Sequence, residues 1–237
     1  MTAPIDLAGL CDDAAFLSLE HQHHLTDVLG EHEWQVNFDV PSFSVTGDRP
    51  RTCTAVHFLG SAAPGPRSWL WSWATPSGNA PAATWLAEWL RGFGQQHGIA
   101  ELTTPELPFA ALPGAPDDPG RAAWVLVEAA KAASGRWTSY TPDVGGGTRF
   151  ALLIEHPDFE LPPPKGLQVM RVLREGLLQG ITDHRRAVQS YAAGRGLDIV
   201  WTEGAAKLGA PGQSLNIDFD ELGRVSKIIG TLAPSDL

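Results

Sequence analysis

The apolar positions open with a long helical arc. Between Ile5 and Leu29, the residues Leu7, Leu10, Cys11, Ala14, Leu17, Leu25, Val28 and Leu29 share one broad face, and Gly30 supplies a stop. The period then shortens, predicting strands over 34–45, 51–60 and 67–74, with turns at Gly47-Asp48 and between Gly60 and Gly65. A second helix is expected from Pro81 to His97, with Asn79 as N-cap, Pro81 in the first turn and Gly98 after the end. Its apolar face reads Ala82, Trp85, Leu86, Trp89, Leu90 and Phe93. A helix over 119–134, stopped by Gly135, precedes strands over 136–141 and 148–155 joined through Val144–Gly147. The last third predicts a helix from Leu167 to Leu178, another capped by Thr182 and running to Ala193, and strands over 197–203, 213–219 and 224–230. The final two strands read as a hairpin, because Leu215, Ile217 and Phe219 alternate with Ser214, Asn216 and Asp218 ahead of a turn at Asp220–Gly223.

Helices beside hairpin-linked strands predict an α+β fold, with antiparallel sheet or sheets packed against helices, and not a doubly wound parallel sheet. Helix, glycine, then antiparallel strands occurs three times, which suggests internal duplication of a helix–strand–strand unit between the first and last segments. Two proline-rich stretches, Thr103–Gly120 and Pro157–Gly166, punctuate the chain. They mark a segment 1–103 of helix, antiparallel strands and Trp-rich helix, a segment 104–164 of Pro-rich linkers flanking a helix-hairpin, and a segment 165–237 of helices and antiparallel strands. The three are expected to pack as one compact unit, with strands in one sheet or two.

Composition narrows the function classes. Hydrophobic residues make up 43% and charged residues 19%, values of a chain that folds. The formal charge of −10 opposes nucleic-acid phosphates and anionic lipid, and the densest basic spots, Arg185-Arg186 and Arg49 with Arg51, are too small for a phosphate track. No nucleic-acid partner is therefore expected. No apolar run approaches the roughly 20 residues of a membrane span, and the first residues lack the pattern of a signal peptide. Cys11 and Cys53 have neither metal spacing nor a disulfide framework, and read as small apolar residues of a reducing compartment, so a cytoplasmic location is expected.

Candidate chemistry gathers on aromatics and histidines. In a strand, Trp69, Trp71 and Trp73 point to one face. That face is either a platform for a flat ligand or a core surface, and the Trp85/Trp89 helix, as a matching apolar surface, favours the core. His21 lies within the apolar arc of the first helix and His24 at its margin, while His23 faces away. The pair His21/His24 has i, i+3 spacing, but no His-Glu-x-x-His pattern accompanies it, so no metal is expected. Leu177, Ile181, His184, Val188 and Tyr191 recur at helical spacing, which turns His184 inward as well. His21 and His184 are thus either hydrogen-bonded core histidines or the lining of one cavity with Tyr191 nearby. Val144–Thr148 lacks a phosphate-loop lysine and a following helix, and Asn216, Asp218 and Asp220 lack the rest of a calcium loop; both read as hairpin parts. No cofactor motif is present.

Phe58-Leu-Gly60, a Gly/Pro spacer, and Trp69-Leu-Trp-Ser-Trp73 together resemble a bacterial family of unknown function marked by a Leu-Gly … Trp-x-Trp-x-Trp core. Asp183-His-Arg-Arg-Ala187 with Tyr191 is similar to a later motif of that family, while Ala74 stands where its members often carry Asn. The resemblance implies no activity. With no strong catalytic signature, whether the chain is an enzyme stays open. A non-enzymatic interaction or accessory, immunity-like protein with a protein partner is expected, and a small-ligand binder or hydrolase with a His-lined pocket is the alternative.

Overall fold

The computed structural model describes residues 5–76 and 78–232. The fold is α+β, with every sheet antiparallel, as the pattern predicts. The strands form three sheets, where the sequence pointed to one or two. Two compact units emerge, one made of residues 1–10 and 21–160, the other of residues 11–20 and 161–237.

The first helix, α1 (Leu7–Leu29), is capped by Asp6, whose carboxylate accepts from the Gly9 N–H at 2.7 Å, and closes at Gly30 with φ 62°. Its ends belong to the first unit and residues 11–20 to the second. In the first unit, β1 (His32–Asn37), β2 (Ser42–Gly47) and β3 (Arg51–Thr52) form a three-stranded meander. The single strand expected over 34–45 is therefore a hairpin. The Asn37 side-chain oxygen accepts from the N–H groups of Asp39 and Val40, an Asx turn ahead of Pro41. The strand expected over 51–60 is likewise split between β3 and β4 (Ala55–Ala63), which sit in different sheets.

β4 lies at the centre of a five-stranded sheet. Its neighbours are β5 (Ser68–Trp71) and β8 (Arg149–Glu155), and its edges are β6 (Glu106–Pro108) and β7 (Ser139–Tyr140). Pro108 is tolerated because β6 is an edge strand. One face of the sheet carries Val56, Phe58, Leu152 and Ile154, which form a core with Leu25 and Leu29 of α1 and with Phe43 and Val45 of β2. Helices α2 (Pro81–His97) and α4 (Pro119–Ser134) also pack on the sheet, with the short α3 (Ala100–Thr103) beside α2. A sheet covered on both sides buries successive residues of its central strands, and β4 is buried without a break from Val56 to Gly60. Gly60 sits at an irregularity in the β4–β8 register, where a Cβ would come 2.3 Å from the Leu70 carbonyl oxygen and 2.7 Å from the Trp69 ring.

Helix α2 keeps Leu86 and Leu90 of the expected face inward but is rotated so that its tryptophans face out. It buries Ala83, Thr84, Leu86, Ala87, Leu90 and Gly94, and leaves Trp85 and Trp89 on the outside. Small residues let the backbone approach its neighbours: a Cβ at Gly94 would lie 2.6 Å from the Leu102 Cβ. The cap also differs. Ala80 is the N-cap without a side-chain bond, where Asn79 was expected.

The second unit holds α5 (Gly166–Gly176), α6 (His184–Arg195) and a four-stranded meander of β9 (Ile199–Trp201), β10 (Ala205–Ala210), β11 (Gln213–Phe219) and β12 (Val225–Leu232). The β11–β12 hairpin is as expected, but β10 carries no pattern in the sequence because Ala and Gly dominate it. α6 is capped by Asp183 and not Thr182; the Thr182 hydroxyl instead donates to Asp12 at 2.6 Å. The helix break between Gly176 and His184 also removes Leu177 and Ile181 from the stripe expected to continue through His184.

Candidate functional site

Within the first unit, chemistry concentrates where β4 and β8 run side by side. His57 of β4 is 4% exposed, and its Nε2 lies 2.8 Å from Glu155 Oε1 at the end of β8. Arg136, just after α4, donates from Nε to the same oxygen at 2.7 Å. The guanidinium also lies over the Trp85 ring, 4.9 Å from its centre, and the His57 ring meets Trp85 edge-on at 5.2 Å. Arg136 is thus fixed by a carboxylate at one edge and an indole face on one side, which pre-orients its donor fork.

Burial lowers the His57 pKa, with Arg136 adding to the effect and Glu155 opposing it. Burial pushes Glu155 upward, but the bonds from His57 and Arg136 outweigh that and hold it below the usual carboxylate range. His57 is therefore neutral at pH 7 and donates to an ionised Glu155. Its Nδ1 is buried and has no hydrogen-bond partner among the described residues. With one ring nitrogen engaged and the other sealed, His57 positions the cluster and has no nitrogen to offer a substrate.

Both shifts are stability statements. Below pH 6.5 the unfolded chain takes up a proton that folded His57 refuses, so stability falls as pH drops. Below about pH 4.5 the unfolded chain likewise protonates Glu155 before the folded one does, and a second loss follows. Urea midpoints measured from pH 8 to pH 4 are expected to show both limbs, and His57→Gln to remove the upper one.

Arg136 and Glu155 also line a cleft of about 320 Å³, together with His21, Trp137, His156 and Phe159. His21 stacks on Trp137, with ring centres 6.3 Å apart and planes 19° apart. His24 is bound elsewhere in the unit, its Nε2 3.0 Å from the Asp158 carbonyl oxygen, and Arg51 donates to the Asp158 carboxylate at 2.8 Å. Cys53 and Cys11 are in no disulfide, and burial pushes the Cys53 thiol up to about 12.

From Arg136 the surface continues onto α2. Trp85 is 40% exposed and Trp89 is 43% exposed, and Phe93 and His97 extend the row at i+4 steps. Trp89 stacks on Phe93 at 5.6 Å, and Phe93 meets His97 at a tilt, with ring centres 4.3 Å apart. Arg91, on the same helix, lies 4.4 Å over Trp73. An aromatic ridge and an arginine fork therefore share one stretch of surface.

The three strand tryptophans separate. Trp69 and Trp71 are fully buried, edge to face at 5.3 Å, and Trp71 Nε1 donates to the Glu101 carbonyl. Trp73 lies beyond β5 in a 3-10 turn over Ser72–Ala74 and is half-buried, so the shared face expected of all three ends at Trp71. The expected packing of that face on Trp85 and Trp89 is corrected too, since both lie on the exposed side of α2.

In the second unit, His184 is the first residue of α6, half-buried, with Nδ1 lacking a hydrogen-bond partner among the described residues. Tyr191 is fully buried and donates to Glu20 at 2.8 Å, and Arg195 lies 3.0 Å from the same carboxylate oxygen. Burial, reinforced by Glu20, pushes the Tyr191 hydroxyl pKa upward. The cleft is lined by His21 but not by His184 or Tyr191. Among the described residues, no group of three or more His, Cys, Asp or Glu has the geometry to hold a metal, and no helix is long and apolar enough to cross a membrane.

His57, Arg136 and Glu155 did not stand out in the sequence. They are separated by up to 98 positions, and the one local signal, a histidine inside an otherwise apolar strand, is equally a core residue's signature.

Fold and site together define an α+β protein with a charged cluster set against an exposed aromatic helix. The chain belongs to the Family of unknown function (DUF6882), whose model matches residues 8–157. That span contains the cleft cluster and the α2 ridge, and ends before His184 and Tyr191. Comparison with curated proteins and with solved structures gives no match.

Proposed function

We propose that this is a non-enzymatic interaction protein of accessory, immunity-like type, which docks another protein on the ridge of α2. The observation that carries the reading is the exposure of Trp85 and Trp89, 40% and 43%, beside a guanidinium already held in place by Glu155. Tryptophan and arginine dominate binding hot spots because they offer large contact area and fixed donors at small entropic cost. The partner that fits has an aliphatic or aromatic anchor for Trp85, Trp89 and Phe93, and a carboxylate or carbonyl acceptor for the Arg136 fork. The cluster around His57 serves this role by holding Arg136 in place. A bacterial, cytoplasmic setting belongs to the same proposal, supported by the resemblance of the Leu-Gly … Trp-x-Trp motif and by two cysteines that form no disulfide.

The test uses the full chain as bait in an extract of its source cells, followed by affinity measurement with the purified partner. Wild type is expected to retain a stoichiometric partner, and Trp89→Ala to lower affinity by about 30-fold, the size of a hot-spot loss near 2 kcal/mol. Arg136→Gln is expected to weaken binding, with a folded spectrum and an unshifted unfolding midpoint for Trp89→Ala. Equal affinity of wild type and Trp89→Ala for that partner would remove the ridge from the interface.

A further inference from the structure

We propose that the N-terminal end of α5 binds a phosphate-type oxyanion. The helix has eleven residues, enough to carry a defined positive end. Its N-cap is Lys165, in extended conformation with no side-chain cap bond, and lysine has no acceptor to give. The first intrahelical bond runs from the Val169 N–H to the Lys165 carbonyl oxygen at 3.0 Å. The N–H groups of Gly166, Leu167 and Gln168 therefore have no acceptor within the helix.

A second, independent feature converges on the same place. The first turn of α5 and the β10–β11 turn enclose a cleft of about 480 Å³, lined by Lys165, Gly166, Gln168, Arg171, Gly212 and Gln213 among others. Gln213 is 7% exposed, and its side-chain Nε2 has no hydrogen-bond partner among the described residues. That nitrogen sits against the first residue of the helix: a Cβ on Gly166 would come within 2.6 Å of it. The absence of a side chain at Gly166 is what lets the amide lie there. A buried amide donor, the open end of a helix and the Lys165 ammonium are thus gathered around one cleft.

The donor set selects the ligand class. Three backbone N–H groups, one side-chain NH₂ and one ammonium exceed what the two oxygens of a carboxylate accept, and suit the three terminal oxygens of a phosphate monoester or the four of free phosphate. The charge agrees. No carboxylate lines this cleft, although the chain as a whole carries −10. Arg171 contributes its field while its Nε bonds Glu175 at 2.8 Å. The site is independent of the α2 ridge, being built wholly from the second unit.

The test is an amide NMR titration of the full chain with inorganic phosphate at pH 7.5 and constant ionic strength. Saturating shifts are expected at the backbone amides of Gly166, Leu167 and Gln168 and at the Gln213 side-chain NH₂, with acetate binding more weakly. Lys165 is exposed, so Lys165→Gln leaves the fold intact, and it is expected to weaken phosphate by about tenfold through loss of a charge-assisted bond. Gln213→Leu is expected to weaken it too. Phenyl phosphate binding more tightly than phosphate would make an organic monoester the occupant, and equal affinity would make it free phosphate; either supports the site. Shifts at these residues that do not saturate, or that saturate equally in Lys165→Gln, would overturn it.

Discussion

Lys131→Met is expected to lower the stability of the protein by about 3–5 kcal/mol, the cost of leaving a buried charge without its counter-ion. Lys131 and Glu128 stand one turn apart on α4, 2% and 1% exposed, with Nζ 2.9 Å from Oε1. Removing the ammonium takes away the cation 2.9 Å from a carboxylate that is itself buried. The double replacement Glu128→Leu with Lys131→Met is expected to recover most of the loss, because an apolar pair of similar volume is often as stable as a buried ion pair. Urea unfolding of the three proteins decides the matter. A Lys131→Met midpoint equal to wild type would mean that the pair contributes nothing.

The second large effect falls on Trp71. Its ring is fully buried, set edge-on to Trp69, and its indole N–H is committed to the Glu101 carbonyl at 3.0 Å. Trp71→Ala is expected to cost about 3–5 kcal/mol through lost burial and an unfilled cavity. Trp73→Ala, in the 3-10 turn and half-buried under Arg91, should cost clearly less. Thermal unfolding of the two variants separates a core role for Trp71 from a surface role for Trp73. Equal losses would place both rings in the same core.

These tryptophans show what the sequence makes legible. Alternation identifies the β5 face, because a strand carries its period in every second residue, and Trp69 and Trp71 share that face. It does not show where the strand stops. Ser72 ends it by turning the chain into a 3-10 turn, and the Ser72 hydroxyl donates to the Phe58 carbonyl at 2.6 Å, a contact with a residue fourteen positions earlier. The same limit explains α2. Its apolar residues cover more than one face, and periodicity alone ranks Trp85 and Trp89 above Ala83 and Ala87. Close packing reverses that order, since a helix seated tightly against a sheet needs small side chains at the contact. The long helices, the β11–β12 hairpin and the antiparallel α+β class were legible because each rests on local periodicity or turn chemistry. The His57–Glu155–Arg136 cluster was not, because only the pairing of β4 with β8 brings it together.

The two-piece make-up of the second unit bears on how the protein is synthesised. Asp12 accepts from the N–H of Thr182 at 2.8 Å and of Asp183 at 2.9 Å, and Arg186 donates to Asp13 at 2.8 Å, pairings some 170 positions apart. On a ribosome adding about 5–20 residues per second, the middle turns of α1 wait roughly 10–30 s for these partners to appear. Residues 161–237 are likewise no detachable cassette, since Phe16 and Leu17, which close against Gly176 and Gly194, lie in the opening helix. A C-terminal fragment made alone should stay unfolded until a peptide spanning residues 11–20 is supplied in trans.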